Sequence, residues 1–175
     1  MDTHATERIS DLHAAEAPAA GAQASGNDKR KLYIKKLGTS DITLTEQIAK
    51  AEKSNFSRPL TADALAQMLS SSPYGITALL NGDGQVLSYA VYLVSLDEAQ
   101  ILSVCSAVKS QGYAYRLLSA LIPQLKASGI CSIYLEVRQS NAAARALYEK
   151  LGFVTDGYRR NLYEDPTEDG CIMHI

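Results

Sequence analysis

The stretch LEVRQSNAAARALYEKLGF, residues 135–153, decides the fold of this 175-residue chain. Its first residues complete an apolar run, Cys131–Val137, that is typical of a buried β-strand. The polar turn that follows leads into a short helix expected over Asn141–Leu151, which Gly152 ends. The order strand, turn, helix is the pattern of an α/β protein.

Three polar side chains in this stretch are candidates for chemistry. Glu136 lies in the apolar strand, where burial would favour the neutral acid and make the carboxylate a stronger base. Asn141 and Tyr148 are two helical turns apart and share a face. Structural interpretations also exist: Asn141 would cap the helix and Tyr148 would be a core aromatic. Glu136 would then pair with Arg138 or with a lysine across the sheet.

A second segment, KSQGYA at residues 109–114, lies between a strand expected over Ala99–Cys105 and a helix expected over Tyr113–Ser128. Gly112 and Ala114 are small, so a ligand can approach the backbone, and the first amides of the helix point outward. This arrangement suits a pyrophosphate, although an ordinary tight turn explains the same residues. The glycine spacing matches neither a Walker loop nor a dinucleotide fingerprint.

The remaining elements follow from the same patterns. The run Asn81–Gly84 is a strong hairpin signal, and Pro123 should kink its helix or loosen one turn. The strand from Ala99 and the strand ending at Val137 should form a parallel crossover. Further strands are expected over Leu32–Leu37, Ile76–Leu80, Gln85–Val94, Phe153–Leu162 and Cys171–Ile175, and further helices from Ser40 or Asp41 to Lys53 and from Thr61 onward.

Composition limits the functions that the chain can have. It is 46% hydrophobic and 21% charged, with a net charge of -2, which argues against a broad electrostatic grip on nucleic acid. No apolar run of about 18 residues exists, so no membrane span is expected. Cys105, Cys131 and Cys171 are odd in number and lack CxxC spacing, so neither a disulfide framework nor a zinc site is expected. A reducing, cytoplasmic location is the simplest interpretation.

The first 30 residues differ from the rest. They are rich in alanine and lack aromatic residues, so they cannot bury enough apolar surface to offset the entropy of the chain. We expect residues 1–30 to be a flexible leader and residues 31–175 to form the folded domain. A docking tail is the alternative for the leader.

Together, residues 109–114 and 135–153 resemble the GCN5-related N-acetyltransferase (GNAT) family, which binds acetyl-CoA with a Q/R-x-x-G-x-G/A loop. The runs FSRPLT at 56–61 and YRRNLYEDPTEDGCIMHI at 158–175 extend the similarity to its RimI-like branch, the ribosomal-protein-alanine N-acetyltransferases. The resemblance covers residues 31–175. It implies the GNAT acyl-CoA N-acyltransferase fold, an α/β fold with a mixed, mostly antiparallel sheet and helices on both faces.

The resemblance also implies roles for individual residues. Glu136 matches the proposed general base and Tyr148 the proposed general acid, with acetyl-CoA as co-substrate and no metal. The residues that match cofactor-binding positions lie on a strand, in the pyrophosphate loop and at the start of a helix: Leu102, Ser103, Val104, Lys109, Gln111, Gly112, Tyr113, Ala114, Tyr115 and Asn141.

Four features depart from the family's pattern. Lys109 replaces the usual Gln or Arg, and residues 104–107, VCSA, replace V-D/H-P-D/E. Leu60 occupies a position where the branch has Trp, and this replacement changes the wall that binds the peptide. Pro123 is unusual in the cofactor helix. Cys105 is interpreted as a packing residue, since direct transfer needs no covalent enzyme intermediate.

The resemblance implies transfer of an acetyl group to the N-terminal α-amine of a protein, and the RimI-like branch suggests a small-subunit ribosomal protein that begins with alanine. The alternatives are a small amine or a lysine side chain as acceptor, or a non-catalytic protein that binds acyl-CoA. Neither nucleic acid nor membrane is an expected partner. The sequence leaves the oligomeric state open.

The acceptor is expected to enter between the 56–61 loop and the last strand pair, if the family geometry holds. The loop before the last strand carries four carboxylates, which we interpret as an attractive surface for a basic peptide. A solvated hairpin tip is the alternative. The four are Glu164, Asp165, Glu168 and Asp169.

Overall fold

The computed structural model describes residues 31–175, and the leader expected over residues 1–30 lies outside the described residues. Seven strands and four helices make up the described part of the chain. The strands are β1 Leu32–Lys36, β2 Tyr74–Asn81, β3 Val86–Ser95, β4 Glu98–Ser106, β5 Ser132–Arg138, β6 Val154–Glu164 and β7 Thr167–His174. The helices are α1 Ile42–Asn55, α2 Ala62–Ser70, α3 Tyr113–Ala127 and α4 Ala142–Lys150.

The strands form one sheet in the order β1-β2-β3-β4-β5-β7-β6. Strands β4 and β5, which α3 joins, are parallel, and the other neighbours are antiparallel. The mixed, mostly antiparallel sheet expected from the sequence is therefore confirmed. Because β7 lies between β5 and β6, these two consecutive strands are not neighbours in the sheet.

Strands β4 and β5 separate part of the way along their length. Their register runs from Glu98 opposite Ser132 to Ile101 opposite Leu135 and goes no further, although both strands continue. On the other side of β4 the register with β3 shifts, so that Leu102 is an extra residue in a β-bulge. The sheet therefore has a gap at its centre, with the bulge on one edge of the gap.

Apolar side chains bury both faces of the sheet. On one face, α3 contributes Leu117, Leu121 and Leu125 to a cluster that also includes Tyr148 of α4. On the other face, Ile48 of α1 belongs to a second cluster, to which α2 also contributes. Helices on both faces confirm the layered arrangement, and each fully buried leucine stabilises it by about 1.5–3 kcal/mol.

Pro123 lies inside α3 without ending the helix. A proline has no N–H group, so the carbonyl of Ser119 loses its intrahelical donor. Both residues are exposed, and water can satisfy this carbonyl. The helix remains one element from Tyr113 to Ala127.

The hairpin at the end of the chain differs from the expectation. Strand β7 begins at Thr167 rather than Cys171, and a two-residue turn, Asp165-Pro166, joins it to β6. Glu168 and Asp169 therefore lie in a strand and not in an acidic loop. Pairing extends this far because both carboxylates find donors, Glu168 from Ser140 N–H and Asp169 from Asn161 N–H.

Candidate active site

The gap between β4 and β5 exposes main-chain groups in the middle of the sheet. Leu102, Ser103 and Val104 follow the last β4–β5 pair; Ser103 and Val104 pair with β3 alone, and Leu102 is the unpaired residue of the bulge. Alternate residues of such a strand direct their N–H and C=O groups toward the open side. The Leu102 side chain is 42% exposed beside the bulge. This edge offers hydrogen-bonding groups to an extended ligand.

The loop after β4 presents the N-terminus of α3. Gly112 is the N-cap with a φ of 72°, and it has no side chain to cap the helix. Arg116 N–H donates to the Gly112 carbonyl at 3.0 Å, so the amides of residues 113–115 precede the first intrahelical bond. A Cβ on Gly112 would meet nothing within 4 Å, so the positive φ is what favours glycine here.

Other side chains of this loop are exposed around the helix N-terminus. Lys109 and Gln111 face solvent. The Lys150 ammonium of α4 lies 4.6 Å from the centre of the Tyr115 ring. Together with the free amides and the positive end of the helix dipole, this makes the region suited to a phosphate group.

Glu136 lies on β5, beyond the end of its pairing with β4, opposite Ile172 of β7. Its side chain is 26% exposed, and Oε1 is 2.7 Å from Nη1 of Arg159 on β6. The carboxylate is thus only partly buried. Its partner is Arg159 across the sheet rather than Arg138 or a lysine, and Arg138 pairs with Glu168 instead.

Arg138 is the residue that holds the turn of the last hairpin. Its guanidinium donates to the carbonyls of Asp165 and Pro166, at 2.8 Å and 3.0 Å, and to Glu168 at 3.2 Å. It also stacks 4.3 Å from the centre of the Tyr163 ring. Since all these contacts converge on one planar group, Arg138 fixes the hairpin against the end of β5.

Tyr148 of α4 is a buried aromatic, 8% exposed, with its ring edge to face against Phe153. Burial, with a smaller contribution from Tyr163, raises the pKa of Tyr148 to about 12. The phenol is therefore protonated at neutral pH. The core-aromatic interpretation is correct for the ring, and a role of the hydroxyl group in catalysis stays a prediction.

Asn141 is the N-cap of α4, where Oδ1 accepts a hydrogen bond from Ala144 N–H at 3.1 Å. The capping interpretation is thus confirmed, and contact with a pantetheine arm stays a prediction. The cap is the third residue after β5, next to the open end of the gap. Two residues, 139 and 140, thus connect Asn141 to the end of the strand that carries Glu136.

A cavity of about 720 Å³ lies between the α1–α2 loop, the end of β5 and the last hairpin. This is the place where the acceptor was expected to enter. Arg138 and Ser140, at the end of β5, complete its lining. The other lining residues are Asn55, Phe56, Ser57, Arg58, Leu162, Tyr163, Glu164, Asp165, Pro166 and Glu168.

The four carboxylates of the hairpin do not form a free acidic surface. Glu164 pairs with Arg58 across the cavity, and Glu168 pairs with Arg138. The hydrogen bond from Ser140, with help from Arg138, holds the pKa of Glu168 below its usual value. Asp165 forms no ion pair within residues 31–175. The expected attraction is therefore reduced to one unpaired carboxylate at the cavity.

The sequence interpretation missed a buried carboxylate on α1. Glu52 is 2% exposed and accepts hydrogen bonds from Tyr89, Ser103 and Leu60. The spacing of the sequence could have indicated this burial, because Glu52 follows Ile48 by four residues and lies on the same buried helix face.

The described residues show no metal centre and no disulfide bond. Residues 31–175 contain no group of three or more side chains that could hold a metal ion, and their three cysteines are free thiols. None of the helices in this part of the chain has both the length and the apolar character needed to span a bilayer.

Comparison with known proteins identifies relatives of the chain. The model of the acetyltransferase (GNAT) family matches residues 43–153. The [ribosomal protein bS18]-alanine N-acetyltransferase of Haemophilus ducreyi is 38% identical over 120 residues, which are 59% of this chain and 83% of that protein.

Solved structures have the same fold. The ribosomal-protein-S18-alanine N-acetyltransferase of Escherichia coli superposes with a TM-score of 0.73 at 33% identity, covering 83% of this chain and 93% of that one. NAA60 of Arabidopsis thaliana, solved in complex with acetyl-CoA, gives a TM-score of 0.71 at 13% identity over 83% of this chain and 98% of that one. The second likeness shows the fold alone.

Proposed function

This chain belongs to the acetyltransferase (GNAT) family and is an acetyl-CoA-dependent N-acetyltransferase, and from that premise we propose that it acetylates the N-terminal α-amine of a protein. The proposed acceptor is the N-terminal alanine of ribosomal protein bS18, the substrate named for its relatives. The observation that carries the proposal is the cavity between the α1–α2 loop and the last hairpin, large enough for several residues of an extended peptide and lined by Arg138 at the end of the strand that carries Glu136.

Acetyl-CoA supplies an activated thioester, and the proposal assigns its binding to one edge of the gap. The main chain of Leu102, Ser103 and Val104 would hold the acetyl and pantetheine groups. The amides of residues 113–115 would hold the pyrophosphate, with Lys109, Gln111 and Gly112 around it. Asn141 would contact the pantetheine arm across the gap. Backbone N–H groups near the bulge would stabilise the charge that develops on the carbonyl oxygen.

Glu136 is the proposed base. An N-terminal amine has a pKa near 8 and is largely protonated at neutral pH, so it must lose a proton before it attacks. Arg159 orients the carboxylate of Glu136 through their ion pair. Because the Glu136 carboxylate is only partly exposed, a water molecule would carry the proton from the amine to it.

Tyr148 is the proposed acid. A phenol with a pKa of about 12 is a weaker acid than a thiol with a pKa near 8.5, so complete transfer to the departing thiolate is uphill. The hydroxyl group of Tyr148 therefore acts mainly as a hydrogen-bond donor while the carbon–sulfur bond breaks. Its burial keeps water away and strengthens that hydrogen bond.

An acceptor comparison tests the function. The purified protein is given acetyl-CoA with a peptide that has the N-terminal sequence of bS18, with the same peptide blocked at its α-amine, with a peptide containing an internal lysine, and with spermidine. We expect fast acetylation of the first acceptor alone, with mass spectrometry locating the acetyl group on the α-amine. Preference for spermidine or for the internal lysine would replace the proposal with a small-amine or lysine acetyltransferase.

A further inference from the structure

We propose that Glu52 is a positioning residue whose single buried carboxylate fixes both substrate sites at once, the bulged edge of β4 and the wall of the acceptor cavity. This inference rests on the proposed function and deepens it. Glu52 lies on α1, and neither substrate is proposed to contact it. It acts through the two segments that it holds.

The carboxylate is buried without a cation. Glu52 is 2% exposed, and none of the ion pairs within residues 31–175 includes it. A buried charge is costly unless hydrogen bonds compensate for it. Three donors provide this compensation, and the two oxygens of a carboxylate have about four acceptor positions, which is enough for all three.

Oxygen Oε1 holds the edge of β4. It accepts from Ser103 Oγ at 2.5 Å and from Tyr89 Oη at 2.8 Å. Ser103 directly follows Leu102, the extra residue of the bulge, so the hydrogen bond limits how the bulged backbone can move. Burial first, and then the charge of Glu52, raise the pKa of Tyr89, which therefore remains a donor.

Oxygen Oε2 holds the acceptor side. It accepts from Leu60 N–H at 3.1 Å, at the end of the loop that leads from α1 to α2. Phe56 and Arg58 of the same loop line the cavity. Both ends of the loop are anchored to one residue, since Phe56 N–H also donates to the Glu52 carbonyl at 2.9 Å.

A carboxylate suits this position because all three partners donate to it. A glutamine of the same shape has one acceptor oxygen and turns an NH2 group toward at least one of these donors. Leu60 N–H is a main-chain group and cannot rotate away. With its oxygen toward Leu60, the glutamine leaves the Tyr89 and Ser103 hydroxyl protons without their acceptor, and with its oxygen toward β4 it leaves Leu60 N–H without one. Exchange between these two orientations should loosen both segments while leaving the volume of the core unchanged.

The test uses the full-length protein and four variants. Glu52→Gln is compared with Glu46→Gln, the same change at an exposed site of α1. Ser103→Ala cuts the link to β4 alone, and a Glu52→Gln/Ser103→Ala double variant measures coupling. Each protein is examined for thermal stability, for acetyl-CoA affinity by calorimetry, for kcat and KM with the bS18 peptide, and for hydrogen exchange at the Leu60 amide.

We expect Glu52→Gln to lower kcat/KM for the peptide about 10- to 100-fold, because small misplacements of reacting groups have effects of this size. It should raise the KM for the peptide, weaken acetyl-CoA binding and speed exchange at Leu60, while Glu46→Gln changes none of these. Ser103→Ala should weaken acetyl-CoA binding or lower kcat without changing the KM for the peptide. In the double variant, acetyl-CoA affinity should fall no further than in Glu52→Gln alone.

A role in stability alone would give a different result. If Glu52→Gln lowers the melting temperature but leaves kcat, both affinities and Leu60 exchange within twofold of wild type, the inference is overturned. If Glu52→Gln does not fold, Ser103→Ala decides: unchanged acetyl-CoA affinity and kcat overturn the inference. The measurements of acetyl-CoA affinity and of hydrogen exchange at the Leu60 amide require no acceptor. They therefore remain decisive even if the acceptor comparison rejects N-terminal peptides.

Discussion

The carboxylate of Glu136 forms an ion pair with the guanidinium of Arg159. A neutral amide at position 136 removes both this ion pair and the proposed base. We expect Glu136→Gln to lower kcat about 10²- to 10⁴-fold at pH 7. Part of the loss should return by pH 9, because the acceptor amine, with a pKa near 8, is then already neutral. Steady-state rates from pH 6 to pH 9 provide the measurement.

The matched control is Glu98→Gln, which changes an exposed glutamate at the start of β4. It should leave the profile unchanged. Wild-type rates for Glu136→Gln over the whole pH range would remove Glu136 from the mechanism.

Tyr148 should behave differently, because its pKa of about 12 keeps it protonated across the same range. Tyr148→Phe removes a hydrogen-bond donor and leaves the packing against Phe153 intact. We expect a fall in kcat of about 10²-fold or more that high pH does not reverse, with acetyl-CoA affinity nearly unchanged. Pre-steady-state rates and calorimetric acetyl-CoA affinities provide the measurements. If the kcat of Tyr148→Phe recovered at pH 9 as much as that of Glu136→Gln, the separate roles would be contradicted.

At the scale of an element, the N-terminus of α3 is the feature open to test. Gly112→Glu places a carboxylate beside amides that are proposed to hold a pyrophosphate, so we expect it to abolish acetyl-CoA binding. Any side chain at a φ of 72° also carries a backbone strain of about 1–2 kcal/mol.

Gly84→Glu separates strain from charge. Gly84 has a φ of 75° and open space around it, and it lies in the β2–β3 hairpin. The control should therefore lose similar stability while it retains the affinity of wild type. Calorimetry that finds acetyl-CoA binding intact in Gly112→Glu would rule out this site for the pyrophosphate.

The last hairpin shows why local sequence misjudged an element. Four carboxylates in six residues favour a solvated loop, yet Glu168 and Asp169 lie in β7, and Glu168 pairs with Tyr163 of β6. Arg138 and Ser140 come from another part of the chain and satisfy Glu168. Donors brought together by the sheet outweighed the local preference of acidic residues for a loop.

At the scale of the molecule, a net charge of -2 gives no strong overall field, so attraction of a basic acceptor must come from the cavity. Asp165 is the carboxylate there without an ion pair among residues 31–175. We expect Asp165→Asn to raise the KM for a basic peptide about two- to fivefold, since an exposed charge pair contributes up to about 1 kcal/mol. Acetyl-CoA affinity should not change.

Salt provides the second measurement of this effect. The KM for the basic peptide should rise with ionic strength in the wild type, because exposed charges are screened over about 10 Å at 0.1 M. This rise in KM should be smaller in Asp165→Asn than in the wild type. In Asp83→Asn, whose carboxylate lies in the β2–β3 turn, the rise should equal that of the wild type. A KM that does not depend on salt in any variant would show that charge has no part in acceptor binding.

The sequence by itself determined the local units of this protein. Glycine and capping residues defined the Asn81–Gly84 hairpin and the start of α4 at Asn141, and hydrophobic spacing defined the helices. It also placed Gly112 correctly at the N-cap of α3. These features depend on residues within a few positions of one another, which is the range over which propensity and periodicity act.

Only the tertiary structure decided the partners of the charged groups. Strand β7 inserts between β5 and β6, so the cation beside Glu136 comes from β6 and not from its own strand. Glu52 likewise meets Ser103 and Leu60 only after α1 packs on the sheet. The order of strands and the packing of helices arise from burial summed over the whole chain, and no local pattern carries that sum.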